Sequence, residues 1–140
     1  VGGALNAGAL REWLPVVCGL AAMLGHIYPL WYGFRGGKGV ATLVGVLFGV
    51  EPLLLLVVLI VWLVMVVSFG FVGLASIVAA MAVVVFVVVS GIQPQMPLLT
   101  FGVAVALLVA YTHRTNIARM RAGTEPRARR LWLLGRRRAS

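Results

Sequence analysis

The chain has 140 residues, 62% of them hydrophobic and only 11% charged, and its mean hydropathy is +1.08. Soluble domains sit near half apolar and a quarter charged. This composition leaves too little polar surface to face water, so it excludes an ordinary soluble domain and implies an integral membrane protein. Of the twelve cations behind the formal charge of +9, nine follow residue 113, namely Arg114, Arg119, Arg121, Arg127, Arg129, Arg130 and Arg136 to Arg138. Such clustering follows the positive-inside rule for cytoplasmic loops. With no soluble domain to present a basic face, it speaks against a nucleic-acid partner.

The chain opens on Val1 rather than Met and shows no secretory signal pattern, so the expectation is an N-terminally truncated fragment. A first apolar segment runs from about Trp13 to Tyr32, broken by Pro15 and Pro29 and containing His26. An intramembrane histidine is costly without a partner, which directs His26 to the bundle interior or a wet cavity. Cys18 lies in the same segment with no neighbouring cation, and reads as a small buried hydrophobe rather than a reactive thiolate. No histidine, cysteine or carboxylate spacing suggests a metal site.

After the glycine-rich stretch GFRGGKGVAT, residues 33–42, comes a short second segment from Gly39 to Val50. Glu51-Pro52 marks a new helix start. A third segment runs from about Leu53 to Phe69, a fourth from about Val72 to Ser90, and a fifth from about Leu98 to Thr112 after the turn GIQPQMP. The third and fourth are so uniformly Leu, Val and Ile that they read as lipid-facing walls without chemistry. The second is short for a crossing. If the Arg35/Lys38 loop and the arginine-rich tail share one membrane face, however, the chain between them must cross an even number of times. The second segment therefore counts as a short, tilted or partly re-entrant helix. The expected fold class is all-α, a polytopic membrane bundle of about five spans. Ala41, Gly45 and Gly49 recur at spacing four, a small-residue stripe suited to close helix packing.

Two polar constellations stand out. In Gly36-Gly37-Lys38-Gly39, adjacent glycines and a following helix start could cradle an anion, with Lys38 supplying a full charge. A tight interhelical turn is the equal alternative. The stretch fails the phosphate-loop pattern of nucleotide hydrolases at Tyr32 and at Gly39. His113, Asn116 and Arg119 recur every three residues and share a helical face, with Gly123 a plausible stop. An ordinary polar helix exit would look the same. By crossing parity His26, the glycine stretch and the His113 region approach one membrane face, which favours a shared anion site. Beyond Gly123 the tail, with Leu131 and Trp132 between arginines, reads as an interfacial anchor on anionic membrane lipid.

GHIYPLWYGFRGGKGVAT, residues 25–42, and HRTNIARMRAGTE, residues 113–125, resemble two motifs of the bacterial acyl-phosphate glycerol-3-phosphate acyltransferases, the PlsY family, in that family's order. The resemblance covers residues 13–125. It implies an enzyme of the bacterial inner membrane, multi-pass, with its active face and C-terminus cytoplasmic. The implied reaction transfers a fatty acyl group from acyl phosphate to the 1-hydroxyl of glycerol 3-phosphate, giving lysophosphatidate and phosphate for phospholipid synthesis. By the same resemblance Gly36, Gly37, Lys38, Gly39, Ala41 and Thr42 bind phosphate, together with Arg119 and His26. His113, Asn116 and Lys38 are the catalytic candidates, and Gly123 and Glu125 are structural. Residues 1–125 would form the acyltransferase domain and 126–140 a basic interfacial tail.

The residues suit that chemistry. Both substrates carry phosphate, which a glycine cradle with Lys38 and Arg119 could bind. Acyl phosphate is already activated, so neither a cofactor nor a covalent serine or cysteine intermediate is called for. His113 or a substrate phosphate could take the hydroxyl proton. The family's serine/glycine/asparagine-rich first motif is not found in these residues, so this chain alone is expected to be inactive or nearly so. A small transporter or channel, or a non-catalytic scaffold with a lipid-binding tail, are the alternatives.

Overall fold

The computed structural model describes residues 7–128 and 131–132. The chain runs α1 (Ala7–Ile27), a single 3-10 turn (Leu30–Tyr32), α2 (Val40–Val50), α3 (Pro52–Phe69), α4 (Val72–Ser90), α5 (Gln95–Thr112) and α6 (Arg114–Arg121). Among the described residues four helices are long and apolar enough to cross a membrane, and α2 is a shorter apolar helix. Eighteen residues of α3 rise about 27 Å, close to the roughly 30 Å hydrocarbon core. The eleven residues of α2 rise only about 17 Å. Even so, α2 traverses the bundle. It starts at Gly39 beside the end of α1, and its last residue Val50 shares a cleft with Arg11, Glu12 and Pro15 of α1's first half and with Leu98 at the start of α5.

Local chemistry fixes the boundaries. Glu51 caps α3 by accepting the Leu53 N–H at 3.3 Å, and Pro52 occupies the first helical position, where its missing N–H costs nothing. Gly70 ends α3 with φ 78°, a left-handed conformation open to glycine. Two prolines behave differently from the expectation. Pro15 lies inside α1, which begins at Ala7 rather than near Trp13 and continues through it. Pro97 lies in the first turn of α5, where the N–H groups have no intrahelical partner in any case, so this helix starts at Gln95 rather than Leu98.

The core runs through α4. Its buried face is small and apolar, with Gly73, Ala75, Ser76, Ala79, Ala80, Val83 and Val87, which brings α3 and α5 close on either side. Leu54, Val58 and Val66 of α3 and Phe101, Val105 and Val109 of α5 fill the space around it. The expectation of two chemically silent walls therefore fails for the fourth segment, which is the central helix. Uniform hydropathy does not distinguish a face toward lipid from a face toward protein when both are apolar. The small-residue stripe is also misplaced. Gly45 and Gly49 face outward, with nothing among the described residues near where a Cβ would stand on either, and Ala41 is exposed at the edge of a cavity rather than packed under a helix. The close approach of α1 to α2 occurs instead at Gly19, whose added Cβ would meet Val46 Cγ1 at 2.5 Å. Cys18 is exposed on α1 rather than buried, because that face of α1 has no neighbour among the described residues.

Candidate active site

The glycine-rich stretch packs against the end of α1. The Gly36 N–H donates to the Ile27 carbonyl at 3.2 Å, and a Cβ on Gly36 would collide with the His26 carbonyl oxygen. A Cβ on Gly37 would run into the His26 ring. These two glycines are thus required for a close approach to α1. Gly39, at φ 80°, then turns the chain into α2. The first backbone bond of α2 runs from the Leu43 N–H to the Gly39 carbonyl at 2.9 Å, so the N–H groups of Val40, Ala41 and Thr42 precede the intrahelical ladder. The helix dipole adds positive potential at the same point.

Lys38 leaves this turn and donates from Nζ to Asn116 Oδ1. The Lys38 carbonyl accepts from Thr112 Oγ1 at 3.1 Å, fixing the turn to the end of α5. Asn116 is buried and donates from Nδ2 to Glu125 Oε1 at 2.7 Å. An ammonium can only donate and a carboxylate can only accept, so the two contacts define which end of the amide is which. Glu125 also accepts from Arg119 Nε at 2.6 Å, while 45% of the Arg119 side chain stays exposed and its terminal nitrogens remain available. Burial raises the Glu125 pKa, but hydrogen bonds from Arg119 and Asn116 and the charges of Arg119 and Lys38 outweigh it, and the net direction is downward.

His113 sits at the corner between α5 and α6 and is 3% exposed. Its Nδ1 lies 2.9 Å from the Val109 carbonyl. Because a carbonyl only accepts, Nδ1 carries the hydrogen, which leaves Nε2 of the neutral ring as an acceptor. Burial lowers the His113 pKa, the Lys38 charge adds to that, and the Val109 carbonyl and Glu125 oppose it without reversing it. The ring is therefore held in the form that can take a proton.

Two cavities meet at Lys38. One, of about 400 Å³, is lined by His26, Lys38, Gly39, Ala41, His113 and Asn116, and reaches Trp62, Gly73 and Ser76 within the bundle. The other, of about 360 Å³, takes in Gly36, Gly37 and Lys38 with Arg35, Arg114 and the two tyrosines Tyr28 and Tyr111. Lys38, His113, Asn116, Gly39, Ala41 and His26 are thus brought together, with Gly36 and Gly37 in the adjoining space. Arg119 lines neither cavity and reaches this cluster through its bond to Glu125. Thr42 lines neither cavity, and Gly123, at φ 70°, closes α6: its N–H donates to the Met120 carbonyl at 3.1 Å, and the following Thr124 N–H donates to the Arg119 carbonyl at 2.9 Å. Sequence reasoning missed Ser76 and Trp62. The Ser76 hydroxyl donates to the Val72 carbonyl at 3.0 Å and accepts the Trp62 indole N–H at 3.3 Å. An intramembrane serine three residues after a glycine was the available signal.

With this geometry in place, comparison with known proteins places the chain. Residues 3–123 match the family model described as glycerol-3-phosphate acyltransferase. Relatives of that name include one from Aquifex aeolicus, 39% identical over 124 residues and covering 89% of this chain and 64% of the relative. Another, from Geotalea daltonii, is 45% identical over 116 residues, covering 83% and 59%. Crystal structures of PlsY (YgiH), an integral membrane glycerol 3-phosphate acyltransferase, superpose at 39% identity. The TM-score is 0.77 for the glycerol 3-phosphate form and 0.78 for the lysophosphatidic acid form, and the match covers 89% of this chain and 61% and 62% of those. The chain thus spans about three fifths of the length of its relatives. By its two motifs, its helical architecture and these matches, the chain belongs to the glycerol-3-phosphate acyltransferase family.

Proposed function

We propose that this chain contributes the phosphate-handling and proton-accepting part of an acyltransferase that moves a fatty acyl group from acyl phosphate to the 1-hydroxyl of glycerol 3-phosphate, releasing lysophosphatidate and phosphate. The observation that carries the reading is the link between Lys38 and Asn116, which joins the two motifs in one cavity. Lys38, Arg119 and the first N–H groups of α2 offer charge and donors for phosphate oxygens. The neutral His113 accepts the proton of the attacking hydroxyl at Nε2. Donors held in place around a partly enclosed cavity stabilise the oxyanion as the carbon–oxygen bond forms and the acyl–phosphate bond breaks. The apolar reach past Trp62 and Ser76 suits an acyl tail, whereas the soluble acceptor enters from the aqueous side. The site-bearing end of the bundle is the cytoplasmic face of a bacterial inner membrane; of the basic tail expected over residues 126–140, residues 129–130 and 133–140 lie outside the described residues.

The assay is phosphate release from acyl phosphate in membranes, with and without glycerol 3-phosphate. It is run on this chain alone and on this chain fused to the portion of the Aquifex aeolicus relative that lies outside the match. The fusion is expected to release phosphate only with glycerol 3-phosphate present, and the chain alone little or none. A fusion that is expressed and inserted but inert, or one that releases phosphate regardless of acceptor, overturns the reading.

A further inference from the structure

The segment after Gly123 lies beyond the residues matched by the family model, yet it is bonded to the turn between α3 and α4. The Ala128 N–H donates to the Gly70 carbonyl at 2.8 Å, and the Trp132 indole N–H donates to the Ser68 carbonyl at 3.1 Å. The Arg127 guanidinium lies between two rings, 4.1 Å from the Trp132 centroid and 5.0 Å from that of Phe71. Gly70 admits this docking, since a Cβ there would stand 3.0 Å from Trp132 Cγ and 3.3 Å from Arg127 Cβ. Each contact is weak alone, but together they hold one short segment onto one turn. Trp132, read from sequence as an anchor in lipid, has its indole turned onto the protein.

This docking bears on Asn116 from two sides. On one, Glu125 stands two residues before Arg127 and accepts from both Asn116 and Arg119. On the other, Gly73 lies in the first turn of α4, just past the clamped turn, and a Cβ there would stand 2.8 Å from Asn116 Cβ. The strap therefore sets both the carboxylate that orients the amide and the helix wall against which the amide packs.

We propose that Arg127 and Trp132 are positioning residues, a strap that holds Glu125 and the start of α4 so that the Asn116 amide oxygen faces Lys38 and the Arg119 guanidinium faces the phosphate-binding space. This rests on the functional reading above. Neither residue touches substrate. Their effect is on ground-state binding of the soluble phosphate substrate, which approaches from the water-exposed side where Arg119 stands.

The test compares Arg127→Ala, Trp132→Ala and Arg127→Lys, made in the fusion to the Aquifex aeolicus portion, in the membrane assay and by hydrogen exchange of the α6 amides. For the alanine variants the expected result is a KM for glycerol 3-phosphate raised about tenfold with kcat changed less than about threefold, as for loss of uniform binding. Arg127→Lys, which keeps a cation over both rings, returns KM to within about threefold of the starting protein. Exchange in α6 and at the α3–α4 turn with the first turn of α4 quickens, while exchange in α5 and the remainder of α3 and α4 does not. Unchanged KM, a fall in kcat with general loss of protection, or failure of Arg127→Lys to restore KM each overturns the proposal. If the unsubstituted fusion proves inactive, the functional reading fails separately, and the exchange measurement still decides the strap. Faster exchange in α6 and the first turn of α4 in both alanine variants, with the rest of the bundle unchanged, sustains it, and unchanged α6 exchange removes it.

Discussion

Lys38 and Asn116 stand 78 positions apart and share one hydrogen bond, with Glu125 fixing the far side of the amide. Truncating any member leaves its partners in a cavity without their charge or acceptor, which is costlier than losing one neutral bond. In the fusion to the Aquifex aeolicus portion, Lys38→Ala is expected to lower kcat/KM for the proposed acyl transfer by about a hundredfold, measured by lysophosphatidate formation. The proposed proton uptake at His113 has a pH signature. Its pKa is depressed below the ordinary 6.5, so the neutral base persists below that pH and the acid limb of kcat/KM falls lower than an exposed histidine would place it. His113→Gln removes that limb along with most of the activity. A depressed histidine also favours the fold above its ordinary value, and that contribution is lost as pH falls through the lowered one. Glu125 behaves likewise in the acid range, stabilising above its ordinary 4.5 and ceasing to do so as pH falls through its depressed value. At this scale Lys38, His113, Asn116 and Arg119 were legible because charge and amide groups are rare in so apolar a chain. The amide's orientation was not legible, since it depends on which group meets each end. Nor was the reason for Gly36 and Gly37, which is the carbonyl and ring of His26.

Among the elements, α4 carries the largest surprise. A run of Val, Ala and Ile states that a helix is in a membrane, but the small side chains at Gly73, Ala75, Ser76, Ala79 and Ala80 decide which face meets protein. Gly73→Ala is expected to displace Asn116 and reduce activity at least about tenfold while the bundle survives heating in detergent nearly as well as before. The same contrast separates the two sets of small residues in α1 and α2. Gly19→Ala forces α1 away from Val46 and should cost about 1–3 kcal/mol by detergent-melting comparison. Gly45→Ala fills open space and should gain up to about 1 kcal/mol from helix propensity. Spacing alone made Gly45 the better packing candidate. Sequence can state that small residues line one stripe, but not that a partner stands opposite it. Helix starts were more legible, because Glu51-Pro52 carries its own cap, whereas Pro15 and Pro97 show that a proline alone does not set a boundary.

For the whole molecule, crossing parity is the economical reading of the chain. It requires α2 to count as a span despite its length, and in the structure α2 does run from the Gly39 end to the cleft it shares with Arg11 and Glu12. Reporter fusions after Lys38 and after Arg121 should therefore give the same, cytoplasmic, signal, and opposite signals would contradict the proposed topology. Parity also explains how residues from two distant motifs meet at one end of the bundle, though not how closely. The most direct measurement is a double-mutant cycle on acyl transfer to glycerol 3-phosphate by the fusion, using Lys38→Ala, Asn116→Ala and the pair. If the two motifs form one phosphate-handling site, the double variant is hardly worse than either single variant, because each removes the same linked unit. Fully additive losses, or undiminished activity in Lys38→Ala, would contradict it.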